Sequence, residues 1–174
     1  MSRAEAAVLA PLSPAVSPAP QPHRPVPVVD ATPEVLSDLP AEWERIAPVT
    51  AGPGCIDTVL IGPNGVFAVH IDPDTRPAAA RPGRGVLRAG ERVPQQVKRA
   101  LHNTRALRDL LAAVPGDVLP YPILVTPVPG AWGERLGRLL VVRPGRLAEA
   151  VWSHPSRPLT RSQRAAVTAA LSRR

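Results

Sequence analysis

Asp57, His70 and Asp72 fall within one short stretch of the chain, and their types together can do chemistry. They sit on two β-branched, apolar runs, Ile56 to Ile61 and Val66 to Asp72, separated by Gly62-Pro63-Asn64-Gly65. Asn-Gly between such runs predicts a tight hairpin, because a type I′ turn needs positive φ at both central residues. Counting outward from Asn64 and Gly65 pairs Ile61 with Ala68, Leu60 with Val69, Val59 with His70 and Asp57 with Asp72. Side chains alternate along a strand, and directly opposed residues share a face. Asp57, His70 and Asp72 then share one face at the open end of the hairpin, while Leu60, Phe67, Val69 and Ile71 fall mostly on the apolar face. Two carboxylates and an imidazole form a donor set for a divalent cation. Oxygen ligands suit Mg²⁺, and an imidazole shifts the preference toward Mn²⁺ or Zn²⁺. A bound cation would also relieve the repulsion between facing carboxylates. Each residue has a plainer reading as well: Asp57 as a strand-start carboxylate bonded to amides, His70 as a half-buried strand histidine, Asp72 as a strand terminator before Pro73.

The elements that must position these residues follow from periodicity and punctuation. The first 29 residues hold seven prolines and six alanines without apolar periodicity, so residues 1–30 are expected to form a disordered Pro/Ala-rich arm. Thr32-Pro33-Glu34 reads as a helix start that Pro40 limits to about Leu39. Trp43 to Val49 reads as a strand closed by the turn Gly52-Pro53-Gly54, and residues 73–84 as a Pro/Arg/Ala loop. Gly85 to Val93 suggests a small hairpin turning at Ala89-Gly90. From Pro94 to about Val114, apolar residues Val97, Leu101, Leu107, Leu111 and Val114 step by helical spacing through Thr104. Lys98, Arg99, Arg105 and Arg108 stand off that stripe, and Pro115-Gly116 stops the helix. Tyr121 to Val125 and Leu139 to Val142 are short strands, Gly145 to Trp152 a helix, and Thr160 caps a last helix running to about Ser172. This order predicts a mixed α/β domain with one central sheet over residues 31–174.

Composition narrows the function classes. The 174 residues carry 21 basic against 14 acidic side chains, for a formal charge of +7. That balance favours polyanions, DNA or RNA above all, through phosphate contacts. Arg in large excess over Lys, beside abundant Ala, Pro and Gly, is equally what a GC-rich coding sequence produces. Arg99, Arg105 and Arg108 on the long helix are the candidate phosphate contacts. No run approaches ~18 apolar residues, so no membrane span is expected. A single cysteine, Cys55, excludes an internal disulfide framework. A cytoplasmic protein is the expectation.

The segment Ile-Asp-Thr-Val-Leu-Ile-Gly-Pro-Asn-Gly-Val-Phe-Ala-Val, starting at Ile56, resembles the signature of the nuclease-related domain (NERD) family. The likeness spans roughly residues 35–174. It takes in Leu39-Pro40-Ala41-Glu42-Trp43, Pro94-Gln95-Gln96, the run from Leu140 to Leu147 and the stretch from Ser156 to Thr160. The resemblance implies a restriction-endonuclease-like core of the PD-(D/E)XK superfamily, a central mixed sheet flanked by helices. It also implies a catalytic set of one Asp followed by Asp/Glu-x-Lys, whose carboxylates hold a divalent metal while the lysine orients the nucleophile. By position the Asp is Asp57, His70 replaces the second carboxylate, and Asp72 replaces the lysine with reversed sign. The family's first-helix acid has only Glu34 to match it. The family's glutamine near the metal points to Gln96, and Lys98 is a candidate to supply the lost lysine from another element.

Three functions follow. The first expectation is a catalytically impaired pseudo-nuclease that binds nucleic acid or another partner. The alternatives are a divergent metal-dependent nuclease using Asp57, His70 and Asp72, and an interaction domain with no nucleic-acid role.

Overall fold

The computed structural model of the chain describes residues 36, 39–81, 85–88, 90–92, 94–128 and 133–173. The proline-rich arm and most of the expected first helix lie outside the described residues. Of that helix only Leu36 and Leu39 are described, and both are buried in the core.

The chain is α/β. A six-stranded mixed sheet runs in the order β1-β4-β5-β9-β11-β10. Its members are β1 (Glu44–Ile46), β4 (Thr58–Gly62), β5 (Gly65–Ile71), β9 (Pro120–Val125), β11 (Leu139–Val142) and β10 (Gly133–Leu136). β5, β9 and β11 are parallel neighbours, and the other pairs are antiparallel. A parallel pair requires a crossover, and α1 (Pro94–Leu111) supplies it between β5 and β9. Two small sheets complete the strands: β2 (Val49–Ala51) with β3 (Gly54–Ile56), and β6 (Ala78–Arg81), β7 (Gly85–Arg88) and β8 (Glu91–Arg92).

The central strands are apolar on both sides because helices cover both faces. Leu60, Phe67, Val69, Ile123, Leu140 and Val142 meet Leu147, Ala150 and Val151 of α2 (Leu147–Ser153) on one face. Val59, Ile61, Val66 and Ala68 meet Leu107 and Leu111 of α1, and Val167 and Leu171 of α3 (Arg161–Ser172), on the other. Thr160 caps α3 through a full capping box with Gln163, as its position before the helix predicts.

Several expectations change. The strand expected from Trp43 to Val49 is two strands, β1 and β2, divided at Ala47-Pro48, since proline offers no ladder donor. Residues 73–84 are not all loop, because Ala78–Arg81 forms β6 against β7. β10 escaped prediction, lying in Gly/Arg-rich sequence that carries no alternation. Leu101 leaves the expected helical stripe and is 42% exposed, while Ala100 takes the buried position beneath it.

The hairpin exists, but its register is two residues from the expected one. Gly62 pairs with Gly65, Ile61 with Val66, Leu60 with Phe67, Val59 with Ala68 and Thr58 with Val69. Pro63 and Asn64 therefore form the turn. Proline pre-sets φ for the first central position of an ordinary turn and cannot donate as a ladder partner. The Asn64 amide bridges to the Val151 and Trp152 carbonyls, and the Leu159 N–H donates to the Pro63 carbonyl at 2.9 Å. The tip is thus clamped to α2 and to the segment that follows it. A two-residue shift preserves side-chain parity, so the apolar grouping of Leu60, Phe67 and Val69 survives. What changes is who faces whom.

Candidate functional site

Asp57 lies just before β4, half-buried. Its Oδ2 accepts the Ile71 N–H at 2.8 Å, so the carboxylate closes the open end of the hairpin by satisfying a backbone donor.

His70 is 3% exposed, on the sheet face that α1 covers, and neither ring nitrogen has a hydrogen-bond partner. Burial disfavours the imidazolium, and the Arg99 guanidinium disfavours it further, bringing the pKa to about 4. His70 is therefore neutral at physiological pH.

Asp72 does not face Asp57. Its buried carboxylate accepts from the Arg88 guanidinium at 2.8 Å and the Thr126 hydroxyl at 3.0 Å through Oδ2, and from the Asp74 N–H at 3.1 Å through Oδ1. Arg88, itself 5% exposed, also reaches Asp74 at 3.1 Å and the Arg76 carbonyl at 3.2 Å. The expected repulsion between opposed carboxylates is absent, both because the register differs and because β7 delivers a cation. The Arg76 side chain also binds Asp74, whose carboxyl is held far below the usual range chiefly by those hydrogen bonds.

Asp57, His70 and Asp72 thus do not assemble as one donor set. Among the described residues no three His, Cys, Asp or Glu side chains stand together as a cation site. Asp72 has its oxygens engaged by Arg88, Thr126 and an amide, and His70 is closed off by α1. The residues present do not fit the catalytic metal that the family resemblance implies. Glu34 lies outside the described residues.

The remaining candidates gather elsewhere. An open groove of about 860 Å³ runs between the β2–β3 turn and α1. Pro53, Gly54 and Cys55 form one wall, and Gln95, Lys98, Arg99, Leu101, His102, Asn103 and Arg105 the other. Three of these are cations, and no carboxylate is among the residues lining it. Gln95 lines the groove, whereas Gln96, the expected glutamine, does not. Arg108, also expected, is exposed one turn beyond it.

The groove owes its shape to one close approach. The buried Asn103 side chain donates to the Cys55 carbonyl at 2.9 Å, and Arg99 reaches the same oxygen at 3.4 Å. A Cβ on residue 54 would lie 2.2 Å from Asn103 Oδ1, so any larger residue there must push the Asn103 amide out of its place between turn and helix. Sequence reasoning missed Leu101, His102 and Asn103 as groove residues. The Gly-Pro-Gly turn was visible, but nothing local signals which helix it meets.

Comparison with known proteins adds no relative: no protein-family model, no curated protein and no solved structure matches this chain.

Proposed function

We propose that this chain is a degenerate nuclease-related domain of restriction-endonuclease-like architecture that binds nucleic acid along α1 without cutting it. The observation that carries the binding half is the α1 groove, with Lys98, Arg99 and Arg105 around it and no acidic lining. Cations gathered at a concave surface attract a phosphate backbone and release its counterions. The likeness of the hairpin segment to the nuclease-related family supports that ancestry, and a mixed sheet covered by helices on both faces is compatible with it.

The catalytic half rests on the two substituted positions. A neutral, enclosed imidazole stands where the family carries a metal-binding carboxylate. A carboxylate neutralised by Arg88 stands where the family carries lysine. Neither position supplies a metal-bound water or a cation at the scissile phosphate.

Two measurements on the full chain test this. Binding to a fluorescent oligonucleotide should weaken with salt, with a log–log slope of about −2 for a single strand and closer to −3 for a duplex if all three cations contact phosphate. Neutralising one of Lys98, Arg99 or Arg105 should flatten it by about one unit. Incubation of DNA and RNA with Mg²⁺ or Mn²⁺ should give no cleavage above that of Asp57→Ala. Metal-dependent cleavage lost in Asp57→Ala would overturn the non-catalytic reading, and absence of binding at low salt would overturn the nucleic-acid reading.

A further inference from the structure

We propose that the α1 groove is built for single-stranded nucleic acid, holding an unpaired base against Leu101 and His102 between flanking phosphates. This rests on the nucleic-acid reading above and goes beyond it in naming the strand state.

Lys98 and Arg105 are seven residues apart, about 10 Å along the helix axis. Leu101 and His102 lie midway between them on the same groove wall. Cations thus bracket an apolar and imidazole surface, and Pro53 faces it from the opposite wall. Leu101 is one of only two large apolar side chains left substantially exposed among the described residues. It is turned out although the helix buries Ala100 beside it.

A duplex makes far less use of such a surface than a single strand does. Its bases present only their edges, at the floor of its own grooves, and their faces are stacked on one another. Duplex binding would engage the cations and leave Leu101 and Pro53 in water. An unstacked base has an apolar face to bury, and histidine and arginine planes are among the groups on which bases stack. The open groove, about 860 Å³, has room for one or two nucleotides.

The experiment compares a thymidine dodecamer, the same dodecamer with abasic residues at its centre, and a 12-base-pair duplex, at one fixed ionic strength. Wild-type protein should bind the single strand roughly tenfold more tightly than either the duplex or the abasic strand. Leu101→Ser should weaken single-strand binding by about fivefold while leaving its salt slope unchanged, because no phosphate contact is lost. Arg99→Gln should weaken all three ligands together and flatten the slopes. Equal affinity for all three ligands, with no effect of Leu101→Ser, would overturn the base seat while leaving nucleic-acid binding intact. No binding of any ligand at low salt would overturn both.

Discussion

Replacing Arg88 by Met strips the cationic partner from a carboxylate whose side chain is fully buried. Breaking one side of such a pair costs about 3–5 kcal/mol, because the remaining charge stays buried without compensation. Asp72 would keep the Thr126 hydroxyl and the Asp74 amide as donors, which places the expected loss near the lower end, about 3 kcal/mol. Asp72→Asn is milder. It keeps the shape, and Arg88 retains Asp74 at 3.1 Å, so a loss of about 1–2 kcal/mol is expected. The double variant should be less damaged than the sum of the two, since each single change already removes the interaction. Urea denaturation of the four proteins gives the cycle directly. In thermal melts Arg88→Met should lower Tm by roughly 6–12 °C, at about 2–4 °C per kcal/mol for a chain of this size. The sign for Asp72→Asn is decisive. Had Asp57 and Asp72 faced each other unrelieved, as the simplest reading of the hairpin implies, removing one charge would stabilise the protein. A stabilised Asp72→Asn, or a neutral Arg88→Met, would refute the ion-pair account.

The other predictions concern pH, packing and capping. His70 has its folded pKa lowered to about 4 against an ordinary 6.5, so below pH 6.5 the unfolded chain binds a proton that the folded one does not. Stability should fall by about 3 kcal/mol as pH drops from 6.5 to 4, and His154, lowered by burial and Arg135, should add to the fall. His70→Leu should flatten most of this slope in urea titrations and be neutral or stabilising at pH 7, since no hydrogen bond is lost. An unchanged slope would show that other groups govern it. Gly54→Ala should displace Asn103 from the Cys55 carbonyl, costing about 1–3 kcal/mol by chemical denaturation and weakening oligonucleotide binding. Thr160→Ala removes the α3 capping box and should cost about 1 kcal/mol, read as a small, cooperative loss of Tm.

Local chemistry between neighbouring residues was readable along the chain. The β4–β5 hairpin, the start of α1 at Pro94, the strands at residues 120–125 and 139–142 and the Thr160 cap all follow from short-range chemistry: β-branched runs, turn residues, a proline at a first turn, a hydroxyl before a helix. Side-chain parity on the hairpin was legible for the same reason, since it survives the difference in register. The register itself was not. Asn64-Gly65 is the better isolated turn, but Asn64 here spends its amide on α2 and leaves Pro63 to set the bend. The fate of the three candidate residues depends on long-range packing. Asp72 meets Arg88 across 16 positions of sequence, from a small sheet whose first strand lies in a stretch reading as loop. His70 is silenced by a helix packed over its face. The cations of α1 come to line a groove because the β2–β3 turn docks beside them, with Gly54 leaving room for the Asn103 amide. Spacing along a chain predicts which side chains share a face of one element. Whether they meet water, a charge or another element is set by long-range packing, where a single ion pair or one missing Cβ outweighs the local pattern.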